Sequence, residues 1–548
     1  MSTGVSVRFA RAVVDRGMRT LFHDRMAVRR KSHGRRPCPV KRLHFVLGDQ
    51  LDPKVAALRD FDRESDVVLM TEVKQEAEHA PSHRQRTALF LSAMRHFALQ
   101  LAEEGFRICY VSLDDPANTH AIDTELVRAI ERFSPGVVTV TKPGEHRVEE
   151  KISDACISTG TPLDILTDDS FTCSLDEFNV WAEGRTNLVL EHFYRHHRRG
   201  LYLLVNAGKP EGGRWNYDKE NRQAFKNPPR VPAPYRPRPD RITQDVFQLV
   251  VQTFPAAYGC LDHFHWPIDR RHARRALKKF INERLCKFGT YEDAMWSGEP
   301  ILFHSALSSS LNLKLLNPRE CVEAAVQAYE KGVAALNNVE GFVRQVIGWR
   351  EFMRGIYYRE GPDYVRRNGL EQTGKLPPFF WSADTEMNCL RHCIGEVMEY
   401  GYGHHIARLM VIGNFALIAG IHPRAVHQWF LGMYVDGVEW VTAPNVVGMS
   451  QHADYGVVAT KPYAASGKYI KRMSNYCEGC RYDVNQRTGM NACPFNTLYW
   501  DFLLRHRKRL RCNQRLKLVL SNLDNLDKSE RRKIAAEAEA LRGQFDIA

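Results

Sequence analysis

From residue 41 onward, short apolar runs alternate with amphipathic stretches. The apolar runs predict buried strands at residues 43–47, 66–71, 107–111 and 137–141. Between the second and third of them, residues 84–104 carry apolar side chains at helical spacing. This alternation predicts a parallel sheet with helices on both faces. The turn after the first strand is Gly-Asp-Gln-Leu and lacks a Gly-x-Gly-x-x-Gly motif, which argues against a dinucleotide site on this domain.

The second half of the chain has a different pattern, dominated by helical periodicity. Residues 205–240 are rich in proline and predict an extended connector between two domains. Beyond it, the pattern predicts a large all-α domain with helices at residues 271–288, 318–336, 342–355, 389–400 and 404–419. We therefore expect a basic extension, an α/β domain, a connector, an all-α domain and a helical tail, with bounds at 1–40, 41–175, 176–245, 246–515 and 516–548.

The net charge of +13 is concentrated at the N-terminus. Residues 1–42 hold 12 basic and 2 acidic side chains, whereas the rest holds 65 and 62. The basic segment has three interpretations: an arm that contacts phosphates, a targeting segment, or an extension before a true start near Met26. The body is close to neutral, so a nucleic-acid surface there would have to be a local patch.

Thirteen cysteines without a secretory signal predict a reducing compartment. Cys477 and Cys480 flank a tight turn, and Cys493 follows with a proline after it. A fourth thiolate would come from Cys389 or Cys393, which lie one helical turn apart. Four such thiolates bind either Zn²⁺ or a [4Fe–4S] cluster, and the alternative is a set of unrelated buried cysteines.

Two strings in the helical half are distinctive: Gln345-Val-Ile-Gly-Trp-Arg-Glu-Phe-Met-Arg-Gly355 and Tyr400-Gly-Tyr-Gly-His-His-Ile-Ala-Arg-Leu-Met410. Together with the Gly-Asp-Gln-Leu turn, the Trp-Asn-Tyr-Asp218 linker and the cysteines, they resemble the photolyase–cryptochrome superfamily. The closest resemblance is to its bacterial iron–sulfur branch, over residues 41–510.

The resemblance implies a light-driven flavoprotein that uses FAD as its electron donor. It implies that Arg408 and Asp436 pair beside the flavin and that Thr442 faces flavin N5, where relatives carry Asn or Glu. The other implied FAD contacts are Tyr291, Ser305, Leu307, Ser308, Gln345 and Arg350. A hydroxyl-rich loop before a helix, such as the one at 305–308, also suits a pyrophosphate physically.

The resemblance also assigns the remaining sites. It selects Cys389 as the fourth ligand of a [4Fe–4S] cluster, with Cys477, Cys480 and Cys493. It implies lesion chemistry at His405, which His404 positions, in a pocket lined by Tyr463 and Tyr469. It further implies electron transfer through Trp381 and Trp429. It also implies a 6,7-dimethyl-8-ribityllumazine antenna on Asp49 and Glu76, and Mg²⁺ at Asp218.

The leading hypothesis is therefore a (6-4) photolyase that binds UV-damaged DNA and flips the lesion into the flavin pocket. Three alternatives stay open: a cryptochrome-type blue-light photoreceptor, a cyclobutane-dimer photolyase, and a flavin-free DNA-binding protein with a structural cluster. Thr442, and Phe430 where relatives have Tyr, keep the photoreceptor open. We expect a monomeric, cytoplasmic, nucleoid-associated bacterial protein without a membrane span.

Overall fold

The computed structural model describes residues 40–511 and 513–547. The hypotheses on the basic N-terminal segment therefore lie outside the described residues. The chain forms two compact units. The first contains the described residues up to Glu76 together with Ala93–Pro143 and Arg147–Asp168. The second contains Ala77–Ser92, Gly144–His146 and the chain from Asp169 onward.

The first unit contains a parallel five-stranded sheet in the order β3-β2-β1-β4-β5. Its strands are β1 (Arg42–Phe45), β2 (Val67–Thr71), β3 (Ile108–Val111), β4 (Val137–Thr141) and β5 (Leu163–Leu166). The predicted parallel sheet is confirmed. The sequence pattern missed β5, because this edge strand is short, carries Asp164 and is incompletely buried.

The register of the central strands explains their continuous apolar runs. Leu43 of β1 pairs with Val67 on one side and with Val138 on the other. All three side chains are buried, as expected for a parallel sheet covered on both faces. Helices Ile122–Phe133 and His146–Thr159 contribute Leu126 and Ile152 to the same core.

The second unit is mostly helical, which confirms the second half of the predicted fold class. Together with the two helices just named, the α-helices along the described chain are Lys74–Glu78, Arg84–Glu103, Leu175–Ala182, Leu190–Gly200, Arg241–Thr253, Arg270–Glu283, Leu285–Phe288, Ser308–Asn312, Pro318–Glu330, Leu336–Val343, Glu351–Glu360, Asn388–Tyr400, Asn414–Ala419, Pro423–Met433, Glu439–Ala443, Gly467–Met473, Pro494–Leu510, Lys517–Asp524 and Lys528–Gln544. A two-stranded antiparallel ribbon joins Val205–Asn206 to Lys209–Pro210. None of the helices in the described part of the chain is long and apolar enough to cross a membrane.

The helix predicted over residues 271–288 is divided into Arg270–Glu283 and Leu285–Phe288, and the one predicted over 318–336 extends too far. The helix expected over residues 318–336 ends at Glu330, and Gly332 adopts a φ of 70°. A left-handed residue of this kind ends a helix, and glycine adopts it without steric cost. Leu336 instead begins the next helix.

Among the described residues of this unit, three π-helical turns occur, at Arg344–Arg350, Ala407–Gly413 and Pro444–Ser450. Each follows directly on an α-helical segment, so the helical periodicity of the sequence continues through it. The first two overlap the two distinctive strings. Since π-turns widen a helix locally and recur at functional sites, these strings mark the region to examine for chemistry.

Candidate active site

An ion pair between Arg408 and Asp436 lies at the centre of the candidate site. The guanidinium donates to both carboxylate oxygens, at 2.9 and 3.0 Å. The Arg408 carbon Cζ lies 3.9 Å from the ring centroid of Tyr434. Asn312 donates to the backbone oxygen of Asp436 at 2.9 Å. The pair expected from the sequence is therefore formed, and the arginine stays cationic because Asp436 raises its pKa against the effect of burial.

His405 lies at the start of the same helix and combines solvent exposure with crowding by protein. Its side chain is accessible, yet desolvation and the nearby Arg408 charge lower its pKa to about 4. At neutral pH the imidazole is uncharged in the isolated protein.

A third histidine joins this cluster, and the sequence analysis missed it. His304 stacks on His404 with ring centroids 4.7 Å apart and planes only 7° from parallel. Burial lowers the pKa of His404 to about 3 and holds that of His304 well below its usual value. Neither ring nitrogen of His404 has a hydrogen-bond partner in the described chain. Buried polar atoms are rarely left so, and a bound group is one way of satisfying them.

The serine-rich segment after His304 presents fewer accessible hydroxyls than expected. Ser305 and Ser308 are half-buried and Leu307 is buried. The hydroxyls of Ser309 and Ser310 are fully buried and have no partner within the described residues. These two serines are additional candidates for contacts with a polar ligand.

Arg284 is a cation beside the same segment that the sequence reasoning did not select. Its Nη2 donates to the Ser305 backbone oxygen at 3.3 Å, while its Nε and Nη1 have no partner in the described chain. Desolvation lowers its pKa to about 10, so it remains charged at neutral pH. A buried arginine with two unused donors suits an anionic group such as a phosphate.

The other implied FAD contacts lie in the same unit, in varied surroundings. Tyr291 is half-buried and stacks on Phe225 at 4.4 Å, and Gln345 and Thr442 are also half-buried. Arg350 lies 4.1 Å from the Phe171 ring centroid and donates to Glu351 at 3.0 Å. These contacts give Arg350 a packing role, and a flavin contact from it stays a prediction.

Tyr463 and Tyr469 face a common set of charged groups. Arg222 and Asp293 both perturb the pKa values of these two tyrosines, and burial is the main cause that raises them. Burial and the neighbouring Asp293 raise the pKa of Glu292 to about 8, so its carboxyl is protonated at neutral pH. The sequence offered no signal for Glu292 and Asp293, since isolated acids are common and carry no motif.

Asp218, the implied Mg²⁺ ligand, is held by arginines. Arg344 donates to its Oδ1 at 2.6 Å, and Arg222 lies 3.5 Å from its Oδ2. Arg344 also makes a salt bridge with the buried Glu340 at 2.9 Å. A Mg²⁺ ion at Asp218 would have to compete with these cations.

Trp381 and Trp429 each contact another aromatic ring. Trp381 is half-buried and stacks on Tyr258, with centroids 4.6 Å apart. Trp429 is fully buried, and its indole N–H donates to the Phe380 backbone oxygen at 3.0 Å. Its ring also contacts Tyr434 at 5.8 Å, the tyrosine that Arg408 covers.

The four cysteines selected by the resemblance line one cavity. Its walls also include Met387, Gly467, Ile470, Tyr476 and Tyr482, whereas Cys393 is not among the lining residues. Burial raises the pKa of Cys477 to about 11 and of Cys493 to about 12, so metal binding would have to displace their protons. A Cβ at Gly467 would lie 2.8 Å from the Cys493 sulfur, so this position requires glycine.

The two antenna residues belong to the first unit. Asp49 is half-buried after strand β1. Glu76 forms a bidentate ion pair with Arg147, at 2.8 and 2.6 Å. A ligand that contacts Glu76 would share its carboxylate with this arginine.

Comparisons with known proteins identify the family of this chain. Residues 44–266 match the family model described as deoxyribodipyrimidine photo-lyase-related protein. A curated (6-4) photolyase of Agrobacterium fabrum is 46% identical over 92% of this chain and 100% of its own length. The crystal structure of a bacterial class III photolyase from Agrobacterium tumefaciens superposes with a TM-score of 0.55, at 13% identity, over 94% of this chain and 99% of that chain.

This likeness shows that the chain shares its fold with that class III photolyase structure. The identity to the Agrobacterium fabrum relative extends over both units. The chain therefore belongs to the photolyase–cryptochrome superfamily, in the branch of the deoxyribodipyrimidine photolyase-related proteins. Membership of this superfamily implies a flavin cofactor.

Proposed function

We propose that this protein is a light-driven DNA photolyase that repairs the (6-4) pyrimidine photoproduct in UV-damaged DNA. The observation that carries the proposal is the 46% identity to a (6-4) photolyase along 92% of the chain. The cluster around Arg408, Asp436 and His405 supports it, because it supplies a fixed cation and, on an exposed histidine, a proton-exchanging group.

The buried, unpartnered polar groups near this cluster suit FAD. Arg284 offers two unused donors for its phosphates, and Ser309 and Ser310 offer buried hydroxyls. When bound in its reduced form, FAD supplies the electron that light drives into the lesion. Arg408 is fixed by Asp436 and Tyr434, so its positive charge stays in place without reorganisation and favours an anionic ring beside it.

His405 handles the proton in this proposal. Splitting a (6-4) photoproduct requires movement of a proton as well as an electron. An imidazole can either donate or accept that proton. The pKa of about 4 makes His405 neutral before DNA binds. The phosphates of bound DNA would raise this pKa toward neutrality, because a nearby negative charge favours the imidazolium. The stack of His304 on His404 would restrict the neighbouring backbone and so position His405.

The lesion pocket would use Tyr463 and Tyr469 as aromatic surfaces for the flipped bases. Their pKa values are raised, so both stay protonated and can donate hydrogen bonds. The protonated carboxyl of Glu292 lies among the same charged groups and offers a further donor. Mg²⁺ near Asp218 would have to displace Arg344 or Arg222, which already compensate that carboxylate.

The cysteine cavity would hold a [4Fe–4S] cluster. Four thiolates around one Zn²⁺ lie about 3.8 Å apart when each Zn–S bond is about 2.3 Å. Within residues 40–511 and 513–547, no three of the cysteine sulfurs lie within 4.8 Å of one another. This wider spacing favours a multinuclear cluster over a single ion.

Two further elements complete the proposal. Trp381 and Trp429 would carry electrons from the surface toward the flavin, with Tyr434 rather than Phe430 between Trp429 and Arg408. Asp49 and Glu76 would hold the lumazine antenna in the first unit.

Product analysis tests the proposed reaction. Reduced protein is illuminated with blue light in the presence of either of two oligonucleotides, one with a single (6-4) photoproduct and one with a single cyclobutane dimer. We expect restored thymines from the (6-4) substrate in the light and none in the dark. Restored thymines from the cyclobutane substrate alone would show that the enzyme repairs the cyclobutane dimer and not the (6-4) photoproduct. Restoration of neither, with reduced FAD bound, would favour the photoreceptor.

A further inference from the structure

A second group of metal-ligating side chains lies in the helical unit, formed by residues other than those described above. His79, Glu145 and Glu439 each offer one ligand atom, and these three atoms all lie within 4.8 Å of one another. They come from three separate chain segments of the same compact unit. We propose that His79, Glu145 and Glu439 form a binding site for one divalent transition cation, of the Mn²⁺ or Zn²⁺ type.

The Glu439 carboxylate is oriented by its neighbours. The Tyr357 hydroxyl donates to its Oε1 at 2.6 Å, and the same hydroxyl accepts a hydrogen bond from the His146 backbone N–H at 3.1 Å. The Oε2 atom lies 4.0 Å from the His79 Nε2 atom. One carboxylate oxygen is thus held by a tyrosine while the other is near the imidazole, an arrangement that fixes ligands in metal sites.

A buried histidine next to these residues is a second, independent observation. His427 is only 3% exposed, and its Nε2 atom has no hydrogen-bond partner in the described parts of the chain. The charges of Glu439 and His79 both affect its pKa, so it lies in their vicinity. Such an imidazole nitrogen is unusual in a protein interior, and a water molecule bound to a cation at this site would give it a partner.

The donor set selects the class of cation. Mg²⁺ and Ca²⁺ prefer sites made only of oxygen atoms. An imidazole with two carboxylates suits Mn²⁺, Fe²⁺ or Zn²⁺. Ligand atoms about 2.1 Å from a tetrahedral ion are about 3.4 Å apart. The 4.0 Å between His79 and Glu439 would therefore need to close by less than about 1 Å.

A cation here would bind a part of the chain close in sequence to Asp436 of the candidate active site. Glu439 begins the helix Glu439–Ala443, three residues after Asp436 and three before Thr442. Binding would join this helix to the segments that carry His79 and Glu145, and a ligand that binds only the folded state raises thermal stability. The inference concerns this site alone and does not depend on the proposed repair reaction.

The test uses the full-length holoprotein and Mn²⁺ as the probe. Excess Mg²⁺ is present to fill all-oxygen sites, and the free Mn²⁺ signal is followed by electron paramagnetic resonance. We expect the wild type to bind one equivalent of Mn²⁺ and to unfold at a higher temperature when it does. His79→Gln and Glu145→Gln should weaken binding at least tenfold and lose the thermal shift. The exposed His196→Gln and Glu323→Gln are the matched controls and should behave as wild type.

Equal Mn²⁺ binding by the wild type and both site variants would overturn the proposal, as would no binding by the wild type. A second measurement avoids reliance on variants that fold poorly. Wild-type crystals soaked in Mn²⁺ should show an anomalous difference peak among His79, Glu145 and Glu439, and a well-ordered crystal without that peak would also refute the site.

Discussion

Replacing Asp436 by asparagine tests how strongly the Arg408–Asp436 ion pair stabilises the helical unit. The side chain keeps its shape, but the Arg408 guanidinium loses its counter-charge and one of two hydrogen-bond acceptors. The Asp436 side chain is 8% exposed and that of Arg408 is 21% exposed, so solvent compensates little of the loss.

Breaking a fully buried ion pair on one side costs about 3–5 kcal/mol. Arg408 retains the backbone oxygen of Gly403 and the face of Tyr434, so we expect a smaller cost, of about 2–3 kcal/mol. The assay is urea unfolding of the helical unit followed by tryptophan fluorescence, with the change in free energy taken from the shift in midpoint.

The control is Asp363→Asn, which removes an exposed partner of Arg366 in a pair whose side chains are 72% and 84% exposed. An exposed pair of this kind contributes less than about 0.5 kcal/mol. Equal destabilisation by Asp436→Asn and Asp363→Asn would refute the reasoning. A large effect of Asp436→Asn alone would support it.

Three further predictions concern the cluster, the electron path and the buried histidines. Cys389→Ser should abolish bound iron, whereas Cys393→Ser, one helical turn away and outside the cavity, should retain it in iron analysis; equal iron in both would show that the ligand set is wrong. Trp429→Phe should slow photoreduction of the bound flavin at least tenfold without changing flavin content, and an unchanged rate in transient absorption would remove Trp429 from the path. Burial lowers the pKa of His83 and of His427 to about 4, so the unfolded chain binds more protons between pH 6.5 and 4 and the free energy of unfolding should fall as pH drops through that window, by about 1.4 kcal/mol per pH unit for each histidine. Urea titrations at pH 7 and pH 5 measure this change in the free energy of unfolding. We expect a smaller change in His427→Gln than in the wild type. An equal change in both would show that His427 has an ordinary pKa.

The sheet and most helices could be predicted from the sequence because buried positions in strands and helices are apolar and recur at a regular spacing. Strands β1 and β2 are buried along nearly their whole length, so each appears as a continuous apolar run. Strand β5 lies at the sheet edge, where half-exposure and Asp164 remove that signal. The helix end at Glu330 was missed because the apolar spacing continues past it to Leu336, which belongs to the next helix.

The candidate site could be predicted only in part. The sequence analysis selected Arg408, Asp436 and the four cysteines. In the structure Arg408 pairs with Asp436, and the cysteines line one cavity. His304 and Arg284 carry no motif and become candidates only when folding places them beside the marked residues. The Arg344 partner of Asp218 is 126 residues away along the chain, so no local pattern could have revealed it.

The π-helical turns were also invisible in the sequence. A single π-turn shifts the helical phase by only one residue, and the apolar spacing absorbs that shift without a break. The segment Ala407–Gly413 therefore read as an ordinary helix, although it follows the two histidines and contains Arg408.

The central claim is that light-driven repair of a (6-4) photoproduct depends on His405. Its most direct test is the yield of restored thymines per absorbed photon from an oligonucleotide with one (6-4) photoproduct, measured for reduced wild type, His405→Ala and the exposed-site control His196→Ala. The account predicts light-dependent repair by the wild type and the control, and a loss of at least a hundredfold in His405→Ala with flavin content unchanged. Repair by His405→Ala at the wild-type yield, or no repair by the wild type with its flavin reduced, would contradict it.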